Sequence, residues 1–180
     1  SVLSIITVIQ LAFGLTIVKI ISSQKNKDNV NNFIKWVFWW SIWIGGIAGI
    51  VLLILSPIIA KFLNINQSSS IFLLSPLIFF LTLSYNGRSI LQGLLKFKKY
   101  VASFIVEIIA KLALTLIFVA LGYAVFGAMV AVLISVIVGF VVIYFSLTEY
   151  LTGQKRKRPK IGPIIKYSSA VFIQGLALTS

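Results

Sequence analysis

Three ionisable side chains stand in stretches that are otherwise apolar: Arg88, Glu107 and Lys111. A charge in hydrocarbon costs about 3 kcal/mol or more and ordinarily faces a bundle interior or a wet cavity. Any chemistry in this chain is therefore to be sought around these three. At helical spacing, Ser84, Arg88, Gln92 and Lys96 fall in line at i+4 steps, with Asn86 close by. Ser103, Glu107, Lys111 and Thr115 line up in the same way. One carboxylate cannot compensate two cations, so an excess positive charge must be met by water, backbone carbonyls, a carboxylate elsewhere or an anionic ligand. Two readings follow. In one, an Arg88–Glu107 pair and an in-helix Glu107–Lys111 pair only neutralise buried charge. In the other, Arg88 and Lys111 line a hydrated path for an anion, with Glu107, Gln92 and Asn86 completing a substrate site.

What is absent bounds the chemistry further. The chain has no Cys and no His, which removes cysteine nucleophiles, histidine bases and thiolate or imidazole metal sites. The acidic residues are Asp28, Glu107 and Glu149, too far apart in sequence to suggest a paired-carboxylate site. No metal, no cofactor and no enzymatic activity is expected. The chain carries 16 Lys and Arg against 3 Asp and Glu, a net charge of +13. In a soluble protein that excess would suggest nucleic acid; here no nucleic-acid partner is expected. Hydrophobic residues make up 59% of the chain, charged residues 11%, and the mean hydropathy is +1.08. Soluble domains carry about 25% charged residues, so the solvent of this chain is lipid. The apolar runs are continuous rather than alternating, which excludes a β-barrel. The expected fold class is an all-α integral membrane protein.

A crossing needs about 20 apolar residues. Candidate spans cover about 2–22, 33–60, 71–95, 101–121 and 124–147, with a sixth beginning near Ile164. Residues 22–32 and 64–70 read as polar loops, and 96–100 as a short basic turn. Residues 112–148 carry no charge, and as one helix they would be about 56 Å long. The break is placed at Gly122–Gly127, between two glycines. Residues 152–163 form a basic linker punctuated by Pro and Gly. The expected organisation is a bundle over 1–151, that linker, and the start of a further bundle at 164–180. Beginning and ending inside apolar runs, the chain reads as a piece of a longer protein.

The connections carry Lys and Arg in alternation. The first holds four (Lys19, Lys25, Lys27, Lys35), the second one (Lys61), the third three (Lys96, Lys98, Lys99), the fourth none and the fifth six (Lys155, Arg156, Lys157, Arg158, Lys160, Lys166). That pattern fits the positive-inside rule at every loop, with the first, third and fifth connections cytoplasmic. Under this orientation Arg88 and Glu107 both lie about 10 Å from the cytoplasmic side and Lys111 about one turn deeper. The linker's charge is accounted for by attraction to anionic cytoplasmic lipid.

Trp36, Trp39, Trp40 and Trp43 share one helix face and read as an interfacial belt or as an amphipathic surface for a lipid tail or a sugar. Gly45 and Gly49 form a GxxxG suited to close helix packing. Pro57 and Pro76 are candidate kinks.

The segment Arg88-Ser-Ile-Leu-Gln-Gly-Leu-Leu-Lys-Phe-Lys-Lys-Tyr100 resembles the LQG-x-x-(K/R)-F pattern of the polysaccharide-biosynthesis flippases, which belong to the multidrug/oligosaccharidyl-lipid/polysaccharide exporter superfamily. Gly122-Tyr-Ala-Val-Phe-Gly-Ala-Met-Val-Ala131 looks like that family's G-x-x-G-A-x-x-A turn into the sixth helix. The resemblance implies a 12–14-helix exporter fold of two lobes, of which this chain would be roughly one lobe, about six transmembrane helices matching helices two to seven. It also implies alternating access at the cytoplasmic membrane. The cargo would be a polyprenyl-pyrophosphate-linked oligosaccharide, its anionic head held by cationic residues; Arg88 and Lys111 suit that role. The implied partners are this lipid-linked glycan, membrane lipids and the second lobe of the same chain. Oligomeric state is not legible.

Three rivals remain. A cation-coupled multidrug and toxic compound exporter of the same superfamily would favour an acidic cavity. A membrane-embedded glycan polymerase or ligase would show a large external loop with polar catalytic residues, whereas the loops here at 61–70 and 122–126 are short. A non-catalytic scaffold needs no intramembrane Arg and Lys.

Overall fold

Several polar residues of this chain sit inside while many of its bulky apolar residues lie outside. Ser41, Ser84, Asn86, Ser103, Glu107 and Ser135 are buried, while Trp43, Ile54, Ile109, Leu112, Leu116 and Phe145 are exposed. Such a surface suits lipid, where an apolar face needs no cover and a polar group does. A computed structural model describes residues 2–24, 26–62 and 72–152. The described residues form helices α1 (Val2–Ser23), α2 (Lys27–Phe62), α3 (Leu74–Gly93), α4 (Phe97–Ala120) and α5 (Ala124–Leu151), with no strand among them. Within α2, α4 and α5 lie stretches long and apolar enough to cross a membrane, Lys27–Pro57, Phe97–Ala120 and Phe126–Leu151. The all-helical membrane bundle expected from composition is thus observed. The linker at 153–163 and the stretch 164–180 lie outside the described residues, as does most of the 61–70 loop.

The least apolar of the long helices is the central one. α3 carries Ser75, Ser84, Asn86, Arg88, Ser89 and Gln92, and it packs on α1, α2 and α5. Small residues let its neighbours come close. A Cβ on Gly87 would sit 2.5 Å from Ile143 Cγ2 of α5. On α2 the GxxxG pair does what its spacing suggests: Gly45 faces Phe79, and the Gly49 carbonyl accepts a 2.7 Å hydrogen bond from Ser75 Oγ. α4 is the outer helix. It lies along α5, touches α3 only lightly, and buries just Ser103 and Glu107. The tightest apolar packing is at the end carrying the basic turns, where Ile17, Phe33, Ile34, Val37, Ile90, Leu91, Ile143 and Leu147 meet from α1, α2, α3 and α5.

Several boundaries differ from expectation, each for a local reason. The polar stretch 22–32 is mostly helix: α2 starts at Lys27, its Asp28 N–H donating to Asn26 Oδ1 at 2.9 Å. Asn26 is thereby an N-cap, and Asp28 in the first turn complements the helix dipole. A helix can be polar where it stands clear of lipid; the 36 residues of α2 span about 54 Å against roughly 30 Å of hydrocarbon. Likewise α4 begins at Phe97, so Lys98, Lys99 and Tyr100 are helical and the turn shrinks to Leu94–Lys96. That turn is a Schellman motif, with Lys96 N–H donating to Leu91 O at 2.9 Å and Leu95 at φ 57°. α4 ends the same way, with Tyr123 N–H on Phe118 O at 3.0 Å and Gly122 at φ 83°, so the break expected at the first of the two glycines is present. Pro76 does not interrupt α3: it lies in the first turn, where the absent N–H would have had no intrahelical partner. Pro57 is inside α2.

Candidate functional site

Arg88 reaches from the central helix to the outer one. Its Nη2 forms an ion pair with Glu107 Oε2 of α4, and its Nε donates to Ser103 Oγ at 3.2 Å. The guanidinium also lies over the Phe104 ring, 3.9 Å from the centroid, a cation–π contact. Ser103, Phe104 and Glu107 fall on one face of α4 at i, i+1 and i+4, which lets a single planar fork engage all three. Because α3 and α4 otherwise meet lightly, this group is the principal tie between them.

The pair fits because α5 has no side chain behind it. A Cβ on Gly139 would stand 2.8 Å from Glu107 Oε2, 3.1 Å from Glu107 Cβ and 3.3 Å from Arg88 Nη2. Sequence reasoning missed Gly139; its signal was a lone glycine inside the apolar run of α5, where glycine costs about 1 kcal/mol relative to alanine and so wants a packing reason.

The predicted residues divide into three groups. Arg88 and Glu107 come together as expected from consecutive spans. Lys111 does not join them: Glu107 turns to Arg88, and among the described residues Lys111 has no ion-pair partner. The in-helix Glu107–Lys111 pair is therefore not formed. The preference follows from the fork: Arg88 binds the carboxylate while stacked and hydrogen-bonded in place, whereas a Lys one turn along α4 offers one flexible ammonium. Asn86 lies elsewhere. Two residues from Arg88, it points to the other side of α3 and donates from Nδ2 to Ser41 Oγ of α2 at 2.8 Å, and Ser41 in turn donates to Val37 O.

Gln92 lies beside Arg88 in a groove of about 260 Å³ floored by α3 and walled by α1 and α4. Tyr85, Ser89, Tyr100 and Phe104 line it with them, and Gly14 and Leu15 form the α1 wall. The helix spacing made Gln92 a neighbour of Arg88; the aromatic lining came from the apposition of three helices and was not read in advance. At the end of the bundle bearing the basic turns, Lys96 donates to Glu149 of α5 at 3.2 Å and lies over the Tyr150 ring. Burial pulls the Lys96 ammonium down, but its hydrogen bonds to Tyr150 and Glu149 and their charges outweigh this, and the net shift is upward.

This arrangement contains a buried, neutralised ion pair and a lined groove. Among the described residues, no group of three or more His, Cys, Asp or Glu is placed to hold a metal. A family model described as polysaccharide biosynthesis protein matches residues 1–180, the whole chain. The chain belongs to the polysaccharide biosynthesis protein family. No curated protein matches it. No solved structure matches it either. In this family member, the LQG segment that carried the resemblance spans the end of α3 and its Schellman turn, so Gln92 and Lys96 of that motif are the groove residue and the α5-tethering residue respectively.

Proposed function

We propose that this chain is part of a multi-pass exporter of the cytoplasmic membrane. Its cargo is a polyprenyl-pyrophosphate-linked oligosaccharide or polysaccharide precursor, flipped between leaflets by alternating access. The family supplies the biosynthetic context, and the bundle supplies the membrane location. One observation carries the step from there to transport of an anion: Arg88 is neutralised by Glu107, and Lys111, in the middle of α4, has no compensating carboxylate among the described residues. It lies about 21 Å along the helix from Phe97 and about 14 Å from Ala120. An unpaired ammonium at that depth is costly unless water or an anion meets it, and the pyrophosphate of the cargo is such an anion. Arg88 and Glu107 take the role of holding α3 and α4 in register around the path.

The test is a strain lacking the gene, complemented with Lys111→Ala or Lys111→Arg in the full-length protein. Lys111→Ala is expected to insert normally yet leave lipid-linked sugar on the inner leaflet, with Lys111→Arg retaining flux. Wild-type distribution with Lys111→Ala would refute an anion-binding role.

A further inference from the structure

The groove between α1 and α4 does not include Lys111 in its lining. Among the described residues, Arg88 is the one charged residue of its lining, and Glu107 cancels it. Its polar groups are short of partners. Nε and Nη2 of Arg88 are hydrogen-bonded, which leaves the two Nη1 hydrogens without an acceptor among the described residues. The Gln92 amide and the hydroxyls of Tyr85 and Tyr100 also have no hydrogen-bond partner among the described residues. Interleaved with these groups are flat apolar faces: Phe104 beneath the guanidinium, and Tyr100 set edge-on to it with centroids 5.4 Å apart.

Unpaired neutral donors and acceptors beside aromatic rings call for a ligand that is uncharged, rich in hydroxyls and apolar on one face. A pyranose ring has those properties, with hydroxyls around its edge and C–H bonds on its faces. A phosphate lacks the apolar face and would find no net charge to meet. A volume of about 260 Å³ is below the roughly 300–1,000 Å³ of most ligand pockets, which suits one ring rather than an oligosaccharide. We infer that this groove is a subsite for a single uncharged sugar residue of the cargo, separate from the cation that meets the pyrophosphate. Gln92 and Arg88 Nη1 would hydrogen-bond its hydroxyls, Tyr85 would add a third polar contact, and the aromatic rings would cover a face. This inference rests on the transport reading above and assigns recognition of the glycan to α3 and α4.

The experiment measures binding to the full-length protein in nanodiscs with two probes, polyprenyl pyrophosphate alone and polyprenyl pyrophosphate carrying one neutral hexose. Gln92→Leu and Tyr85→Phe each remove hydrogen-bonding groups at nearly constant shape. Each is expected to weaken the hexose-bearing probe about fivefold to tenfold and to leave the sugar-free probe unchanged. Lys111→Ala is expected to weaken both probes alike. If Gln92→Leu and Tyr85→Phe weaken both probes equally, or neither, while the wild type binds both, the sugar subsite is refuted and the transport reading stands. If the wild type prefers the sugar-free probe, the groove is not a glycan site. Wild-type protein that binds neither probe would overturn both readings.

Discussion

Gly139→Ala tests the packing behind the Arg88–Glu107 pair with a single methyl group. The added Cβ would lie 2.8 Å from Glu107 Oε2, closer than side chains tolerate, and 3.1 Å from Glu107 Cβ, a tight contact that needs a shift of a few tenths of an ångström. Oε2 is the far end of a flexible side chain, but Arg88 Nη2 holds it, and Nη2 itself would be 3.3 Å from the new methyl. Relief must come from loosening the ion pair or from moving α4 off α5. Overpacking of this kind costs about 1–3 kcal/mol. Glycine to alanine in a helix interior returns about 1 kcal/mol. The expected net effect is a destabilisation of roughly 0–2 kcal/mol, where helix propensity alone would stabilise. The decisive quantity is the coupling. In a Glu107→Ala background most of the obstacle is gone, and Gly139→Ala should become neutral or stabilising, a coupling of about 1 kcal/mol or more. The assay is equilibrium unfolding of the full-length protein in mixed micelles for the four members of the cycle. Stabilisation by Gly139→Ala in the wild-type background, or an identical effect in both backgrounds, would refute the assignment of Gly139 as the space behind the pair.

Breaking the pair from one side, with Glu107→Gln, leaves a largely buried guanidinium uncompensated and is expected to cost up to about 3–5 kcal/mol; the swap Arg88→Glu with Glu107→Arg should recover part of that loss in the same unfolding assay. Asn86→Ala should cost about 1–3 kcal/mol by leaving the Ser41 hydroxyl without its α3 partner, and Asn86→Ala combined with Ser41→Ala should cost less than the two single changes added. The Lys96 contact predicts a pH dependence. Its folded-state value is raised, so its stabilisation is fully present below the ordinary lysine range and is lost as pH rises through that raised value. Unfolding followed from pH 8 upward should show that loss in the wild type and a smaller one in Glu149→Gln, with identical profiles counting against the contact.

Composition and charge spacing alone specified the membrane class, the approximate positions of the helices, the glycine break at 122 and the nearness of Arg88 to Glu107. These are one-dimensional properties: apolar run length is matched to bilayer thickness, and i+4 spacing decides which residues share a face. The N-cap at Asn26 was also written in the chain, but its polarity resembles that of a loop, and only the helical backbone continuing to Lys27 separates the two. What the tertiary structure decided was which face of each helix meets which neighbour. Asn86 and Arg88 are two residues apart, yet one bonds to α2 and the other to α4, because about 200° of helix rotation separates them. Glu107 had two cations in reach along and across helices, and the approach of α3, with Phe104 and Ser103 fixing the fork, settled the choice for Arg88. The groove exists because α1 and α4 stand on either side of α3 at that level. No periodicity within a single segment encodes a space enclosed by three, since its lining is set by how the helices rotate and pack against one another.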